Sequence, residues 1–468
     1  MIKRILFLCT TLVLLGGCSL IPDYLQPQAP IPTSWPQGAA YNDRQTLAPA
    51  ITVKELKRQE FFNDPHLLQI IELALANNRD LRLAALNVER ARALYGVQRA
   101  ELFPAIDAAG AGGKQRLASD LISPGTSRSV EQYSIDLGIA SWEIDFFGRI
   151  RSLKEQALEA YLATDQARRS VQIALISEVA KVYLTLAADR ENLELSRSTL
   201  KDQLGSYKLI RRQFEVGIKN ELDLHRAQTQ VDSARRNVAL YTRQTAQDRN
   251  ALNLLAGLSV TEILLPIDLS SVIPPKEIFA GLPSEALLLR PDILAAEHQL
   301  KSAYAYIGAA RAAFFPRISL TTMFGTASDE LSGLFGSGSG TWNFTPQIAM
   351  PIFDARIWAA YRVSKAEREI ALTEYEKIIQ VAFREVADAL AVQGTVDQQI
   401  TAQKSLTEAV AETYRLANLR YSKGIDSYLS VLDAHRSLYG AQQGLISLRL
   451  VKFVNQVQFY TVLGGGGE

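Results

Sequence analysis

Two long stretches of this chain read as copies of one another. Phe103-Pro104 ends one helix-patterned stretch, and Phe315-Pro316 ends a second, about 210 residues later. Gly96 corresponds to Gly308, Arg99 to Arg311 and Ala100 to Ala312. Further on, Phe214-Glu215-Val216-Gly217-Ile218, followed by Leu222, is echoed by Tyr421-Ser422-Lys423-Gly424-Ile425, followed by Leu429. Each half runs helix, two strand-like segments, then a long helix-rich region. A duplication of this size makes half the chain one structural unit, with its copy packed beside it.

The first residues set the compartment. Lys3 and Arg4 precede an apolar stretch from Ile5 to Leu15, too short for a stable membrane span and shaped like a signal peptide. Leu15-Gly16-Gly17-Cys18 resembles a bacterial lipobox, which implies cleavage before Cys18 and a lipid on its thiol. Ser19 then implies sorting to the outer membrane. The count agrees: Cys9 leaves with the signal at residues 1–17, and the one thiol left cannot build a disulfide framework.

With 468 residues, 47% of them hydrophobic, the chain can bury a large core. Its formal net charge of +1 gives no basic face for nucleic acid. No run of eighteen apolar residues follows the signal, so any membrane crossing must be made by β-structure.

Residues 18–62 are rich in proline (Pro22, Pro27, Pro30, Pro32, Pro36, Pro49) and read either as an extended strap or as a loose tether behind a lipid anchor. The first repeat, 63–257, opens with a helix over Asp64–Leu102, where Asp64-Pro65 forms an N-cap and N1 pair. Strands follow over about 104–145, where Tyr133, Ile135, Leu137 and Ile139 alternate with smaller or polar residues. Long helices fill about 148–256, read as two of about 55 residues, each roughly 80 Å long. Residues 258–283 form a connector. The second repeat, 284–468, begins with a helix interrupted at Pro291, has strands over about 316–353 and long helices over about 355–462. Trp142, Phe146, Trp342 and Phe344, near strand ends, suit a membrane interface.

Each half offers two strands, so the chain offers four. Four strands cannot close in a bilayer, because the two edges would leave backbone groups unpaired in lipid. Strands must be pooled between copies. Two copies give eight and three give twelve, and the count alone does not choose.

The lipobox, the Phe-Pro junctions, Trp142-Glu143-Ile144-Asp145-Phe146-Phe147-Gly148-Arg149, Arg290-Pro291-Asp292-Ile293 and Leu432-Asp433-Ala434 together resemble the TolC-like outer-membrane factors, in their lipidated OprM branch. The resemblance spans essentially the whole mature chain. It implies an α+β membrane protein. Three copies would pool a twelve-stranded outer-membrane barrel over a periplasmic α-helical coiled-coil tunnel with a small mixed equatorial region. It implies a homotrimer working with a periplasmic adaptor and an inner-membrane pump of the resistance–nodulation–division type, as the passive exit of a drug efflux system. No enzymatic activity and no cofactor are implied.

The same resemblance carries a gate onto the turns at Gly217 and Gly424. Arg420 and Tyr421 would bond Asp223 across neighbouring helices. Leu429 would form an apolar constriction and Asp433 an acidic ring. Asp426 departs from the family, since some relatives carry a basic residue there, and makes this end more acidic. Spacing places Leu429 and Asp433 on one helix face, and repetition around an axis would turn one carboxylate into a cation-favouring ring. Read singly, Asp223 and Asp433 are ordinary solvated charges, and Tyr421 and Leu429 ordinary coiled-coil residues.

Other chemistries find no support. His66, His225, His298 and His435 are isolated and have no metal-ligand spacing. No G-x-S-x-G nucleophile turn occurs. Gly336 to Gly340 alternates with serine but lacks a lysine for phosphate. Met1, Met323 and Met350 make no path for soft metal. Two alternatives to the duct stand: a coiled-coil lipoprotein without a pore, and the outer-membrane part of an ATP-driven secretion system.

Overall fold

The computed structural model describes residues 19–41, 58–276 apart from 124 and 126, and 284–465. Cys18 and the signal lie outside them. The chain divides into two compact units. One holds residues up to Gln28 with Asn87–Asp165 and Ala295–Tyr375; the other holds Ala29–Leu86, Gln166–Leu294 and the chain from Glu376.

Helix α1 (Pro65–Asn77) starts where Asp64 Oδ1 accepts the N–H groups of His66 and Leu67, at 2.9 and 3.1 Å. It does not continue to Leu102 as one helix. Asn78 leaves helical geometry, with ψ at 133°, and its Oδ1 takes the N–H groups of Asp80 and Leu81. A new helix, α2 (Arg79–Ala100), begins there. In the second half Pro291 marks the same position, opening α5 (Pro291–Ala312) as its first residue.

Four strands form one antiparallel sheet in chain order: β1 (Asp107–Arg116), β2 (Ser129–Ile144), β3 (Arg317–Ser328) and β4 (Gly340–Ala349). Directly opposed residues share a face, so the register sorts the side chains. Ile135, Leu137, Ile139, Trp142 and Ile144 lie with Ile318, Leu320, Phe324, Trp342, Phe344 and Ile348 on one apolar face. Gln132, Ser134, Asp136, Glu143, Arg317, Ser319, Asn343, Thr345 and Gln347 take the other. The register shifts between Ile139 and Trp142, opposite Thr322 and Leu320. This one-residue bulge returns Trp142 and Ile144 to the apolar face, although their numbers are even and Ile139's is odd. Thr321 Oγ1 donates to the bulged Ala140 carbonyl at 2.9 Å.

Gly138, opposite Met323, and Gly325, opposite Asp136, are diagonal neighbours on the polar face. A Cβ on Gly138 would meet Thr322 O at 2.1 Å, and one on Gly325 would meet Ile135 O at 2.3 Å. Bare backbone at both positions lets the neighbouring strand approach closely on the polar face. Both outer strands, β1 and β4, are exposed along their whole length.

The long helices divide unevenly: α3 (Arg149–Glu215) has 67 residues and α4 (Glu221–Ala256) has 36. The second half repeats this as α6 (Ala355–Ser422) with 68 and α7 (Tyr428–Val462) with 35. An equal split near 55 does not occur, because the turn falls at Gly217, well past the middle of the stretch, while α4 stops at Gly257. That glycine has φ +71°, and a Cβ there would meet Asn77 O at 2.4 Å. At 1.5 Å per residue, α3 and α6 each extend about 100 Å. One stretch of α3 is long and apolar enough to span a membrane by composition, but more than half of it is buried against the protein's own core.

In the second unit, α1 packs into that core. Phe61, Phe62, Ile70, Ile71, Val179, Tyr183, Leu186, Leu252, Val457 and Tyr460 are almost fully buried, each contributing about 1.5–3 kcal/mol by leaving water. Phe61 stacks on Tyr460 with centroids 5.1 Å apart. The connector is tied on by Ile273 N–H to Asp64 Oδ2 and Lys276 N–H to Phe61 O. The described part of the N-terminal segment is an ordered strap. Arg311 donates to Leu20 O at 3.2 Å, Tyr24 donates to Glu297 at 3.1 Å, and Trp35 stacks on Phe383.

Candidate functional site

The residues expected to gate a duct sit at two helix turns of one design. Gly217, with φ +77°, donates its N–H to Phe214 O, and Ile218 N–H reaches back to Gln213 O. Gly424, with φ +71°, does the same through Tyr421 O and Ile425 N–H to Arg420 O. Both are left-handed glycine caps that close the last helical carbonyls. The restarts differ. Asn220 caps α4, its Oδ1 accepting Asp223 N–H at 2.8 Å, whereas Ser427 makes no side-chain cap at α7.

Arg420 pairs with Asp426 across its own turn, through Nε at 2.6 Å and Nη2 at 3.1 Å. This bidentate grip holds the Asp426 carboxyl below its usual range and raises Arg420. No bond joins Arg420 to Asp223 within the chain. Asp223 lies 3.9 Å from Arg226, and its side chain is only 19% exposed. Tyr421 turns its ring under Lys219 Nζ, 5.0 Å from the centroid, and packs 5.4 Å from Tyr428, while its hydroxyl is buried without a partner.

Tyr428, Val431 and Leu432 bury into a small core with Ile210 and Ala227. Burial pushes the Tyr428 hydroxyl up to about 12. Leu429 and Asp433 take the opposite, exposed side of α7, one turn apart. The structure therefore brings Arg420, Tyr421 and Asp426 together, and aligns Leu429 with Asp433. Asp223 belongs to the other turn's cap.

Sequence reading missed Lys219, Asn220 and Tyr428. Asn220 was detectable, since Asn with Asp three positions on, after a glycine turn, marks a helix start. Lys219 was not, because it meets Tyr421 only when the two hairpins pack. Among the described residues, no group of three His, Cys, Asp or Glu side chains could hold a metal.

The family model described as "Outer membrane efflux protein" matches residues 70–258 and again 282–465, once in each repeat. The chain belongs to this family. It is 48% identical over its full length to the antibiotic efflux pump outer membrane protein ArpC of Pseudomonas putida, covering 96% of that protein. It is 49% identical over 97% of its length to the solvent efflux pump outer membrane protein SrpC of Pseudomonas putida, covering 97% of it. Among solved structures, a membrane protein from Pseudomonas aeruginosa superposes with a TM-score of 0.87 at 38% identity, over 96% of this chain and all of that one. The four-stranded sheet and long helices are thus a TolC-like fold. The chain is an outer-membrane efflux duct and not an enzyme.

Proposed function

We propose that three copies pool their sheets into a twelve-stranded barrel and their helices into a periplasmic tunnel. This trimer passively conducts small organic molecules from an inner-membrane resistance–nodulation–division pump and its periplasmic adaptor to the outside. One observation carries this reading: a sheet with one apolar and one polar face ends in two unpaired edges. Such a sheet is satisfied in lipid only when copies close it. Strands of ten residues, tilted, match the height of a bilayer's apolar band. Relatives named for antibiotic and for solvent efflux make small, largely apolar molecules the cargo class. Cys18 carries the lipid that tethers the strap, within a division into strap 18–62, repeats 63–257 and 284–468, and connector 258–283.

The resting gate is built at the two turns. Leu429 and Asp433 narrow the end as an apolar ring and an acidic ring, with Tyr421 behind them. Arg420 is committed to Asp426 in each copy, so bonding Asp223 across copies requires an exchange of partners. That exchange links the closed state to the tip's charges and makes it sensitive to a docking adaptor. Reconstitution into planar bilayers tests this. Wild-type protein should conduct poorly, and Asp433→Ala with Tyr421→Phe should conduct at least several-fold more. Absence of conductance from both would defeat the duct, and equal conductance would defeat the gate.

A further inference from the structure

The open edges of the sheet carry enough information to say how two copies join. This inference rests on the pooled-barrel reading and specifies its seam. In antiparallel pairs, hydrogen-bonded and non-bonded positions alternate. Leu117 N–H donates to Arg128 O, extending the β1–β2 ladder, so odd residues of β1 bond β2. The backbone groups of Ala108, Gly110, Gly112 and Lys114 therefore face outward. Ala327 N–H donates to Ser339 O, so odd residues of β4 bond β3. Trp342, Phe344, Pro346 and Ile348 then face outward from β4. Their side chains lie on the apolar face, and so do those of the outward residues of β1.

We infer that β4 of one copy pairs with β1 of the next in full overlap, Gly340 opposite Arg116 through Ala349 opposite Asp107. Both strands have ten residues, and this register alone leaves none unpaired. The side chains interlock by size. Phe344 comes opposite Gly112, Pro346 opposite Gly110 and Ile348 opposite Ala108. On the polar face Asn343 comes opposite Gly113, Thr345 opposite Ala111 and Gln347 opposite Ala109.

Large residues on one edge thus meet glycine or alanine on the other. Trp342 meets Lys114, whose ammonium is already paired with Glu131 on the same face. The single donor missing at Pro346 falls opposite Gly110, whose lack of a side chain leaves room for the proline ring. Continued below the strands, this alignment sets Met350 beside Ile106 and Phe353 beside Phe103. These four apolar side chains are all more than half exposed in the single chain, Phe353 at 89%. The glycine- and alanine-rich character of β1 is then the receptor for β4, and a second copy of this chain is the partner it fits.

Paired cysteines in the full-length protein, expressed in cells, test the register. Across this seam Thr345 and Ala111 form a non-bonded pair with Cα atoms about 4.5 Å apart, within disulfide reach. Thr345→Cys with Ala111→Cys should join copies in high yield under oxidation. Thr345→Cys with Ala109→Cys, or with Gly113→Cys, sets the Cα atoms about 8 Å apart and should give at least tenfold less. A higher yield from either shifted pair overturns the register and leaves the pooled barrel standing. No cross-link in an assembly that still conducts overturns the edge pairing. No cross-link in a protein that is monomeric and silent overturns the pooled barrel itself. Gly110→Leu gives a second readout without cysteine. It should lower the temperature at which the solubilised assembly separates into single chains, and an unchanged temperature counts against the seam.

Discussion

The two repeats close the same joint with different chemistry. In the first, Asn78 Nδ2 donates to Leu255 O, near the end of α4, at 3.0 Å. In the second, Arg290 Nη1 donates to Val462 O, the last residue of α7, at 3.0 Å. Asn78 and Arg290 are as far apart as Phe103 and Phe315, and Leu255 and Val462 as far apart as Gly217 and Gly424. The bond is thus one feature kept through the duplication. Its surroundings correspond too, with Asp80 matching Asp292 and Glu178 matching Glu385. What differs is the donor. Asn78 spends its oxygen capping α2. Pro291 has no N–H to cap, and Asp292 Oδ1 takes Ile293 N–H itself. The residue before Pro291 is therefore free to be an arginine, which grips Asp292 at 2.7 Å and Glu385 at 3.1 Å. The backbone constraint was preserved while one copy gained a charge network around a buried arginine.

Breaking the joint in each half should show that difference first and most strongly. Arg290 is 8% exposed, but Asp292 and Glu385 keep 36% and 32% of their side chains exposed, so its removal costs the charge-assisted bonds rather than a stranded buried charge, a loss of about 3 kcal/mol. Arg290→Ala should therefore lower the unfolding midpoint of the detergent-solubilised protein more than Asn78→Ala. The latter loses one cap and one bond, about 1–2 kcal/mol. Arg290→Asn, which copies the first half, should fall between them. Equal losses for Arg290→Ala and Asn78→Ala would mean that the carboxylates add nothing.

A second contrast lies along the helix pairs. Asp189 on α3 hydrogen-bonds Asp248 on α4, and burial with their mutual repulsion pushes Asp248 up to about 7. Asp248 Oδ2 is buried without a hydrogen-bond donor. The nearby cations Arg190 and Arg249 both pair with Glu262 instead. In the second repeat the matching positions are Val396, 3% exposed, and Asn455, which donates to Ala389 O at 3.0 Å. That copy is neutral and satisfied. A carboxyl whose folded value is raised binds extra protons in the native state. The pair therefore costs stability increasingly as pH rises from about 4 to about 7, and the cost is constant above. Asp248→Asn, making the first half resemble the second, should leave the unfolding midpoint at pH 4 unchanged and raise it at pH 8. The gain is on the order of 1 kcal/mol once solvent screening of half-exposed groups is allowed for. A midpoint with the same pH slope in both proteins would remove the pair from the account.

The sequence shows the repeat, the alternating strands and both glycine turns, because each rests on spacing along one segment. It hides what depends on a neighbour. Ala140 and Ser141 look like a lapse in alternation, yet β3 makes them a bulge that keeps Trp142 on the apolar face. Asn78 sits in a helical pattern with nothing to mark a break, and only Leu255, on another helix, shows that its amide is needed there. At the tip, Arg420 and Asp426 are six residues apart, a spacing that means nothing until Gly424 folds the chain back. Gly96 and Gly308 correspond in the repeat, yet Gly308 lies against Ile21 of the strap while Gly96 faces open space.

The two turns give the finest comparison, because they share a glycine cap and differ in how the next helix starts. Asn220 takes a backbone N–H that would otherwise have no partner in the first turn of α4. Asn220→Ala should destabilise that turn by about 1 kcal/mol, seen as roughly fivefold faster hydrogen exchange of amides near Asp223. Ser427 makes no such bond, so Ser427→Ala should leave exchange near Tyr428 unchanged. The second turn relies instead on Arg420 and Asp426, whose ion pair is exposed and weakened by salt. Exchange at the Gly424 turn should therefore quicken as salt is raised, while exchange at the Gly217 turn should not. If both turns respond to salt alike, the ion pair does not hold the second one. This end of the helix pairs would then owe its shape to the glycine caps and to the packing of Tyr421 against Tyr428.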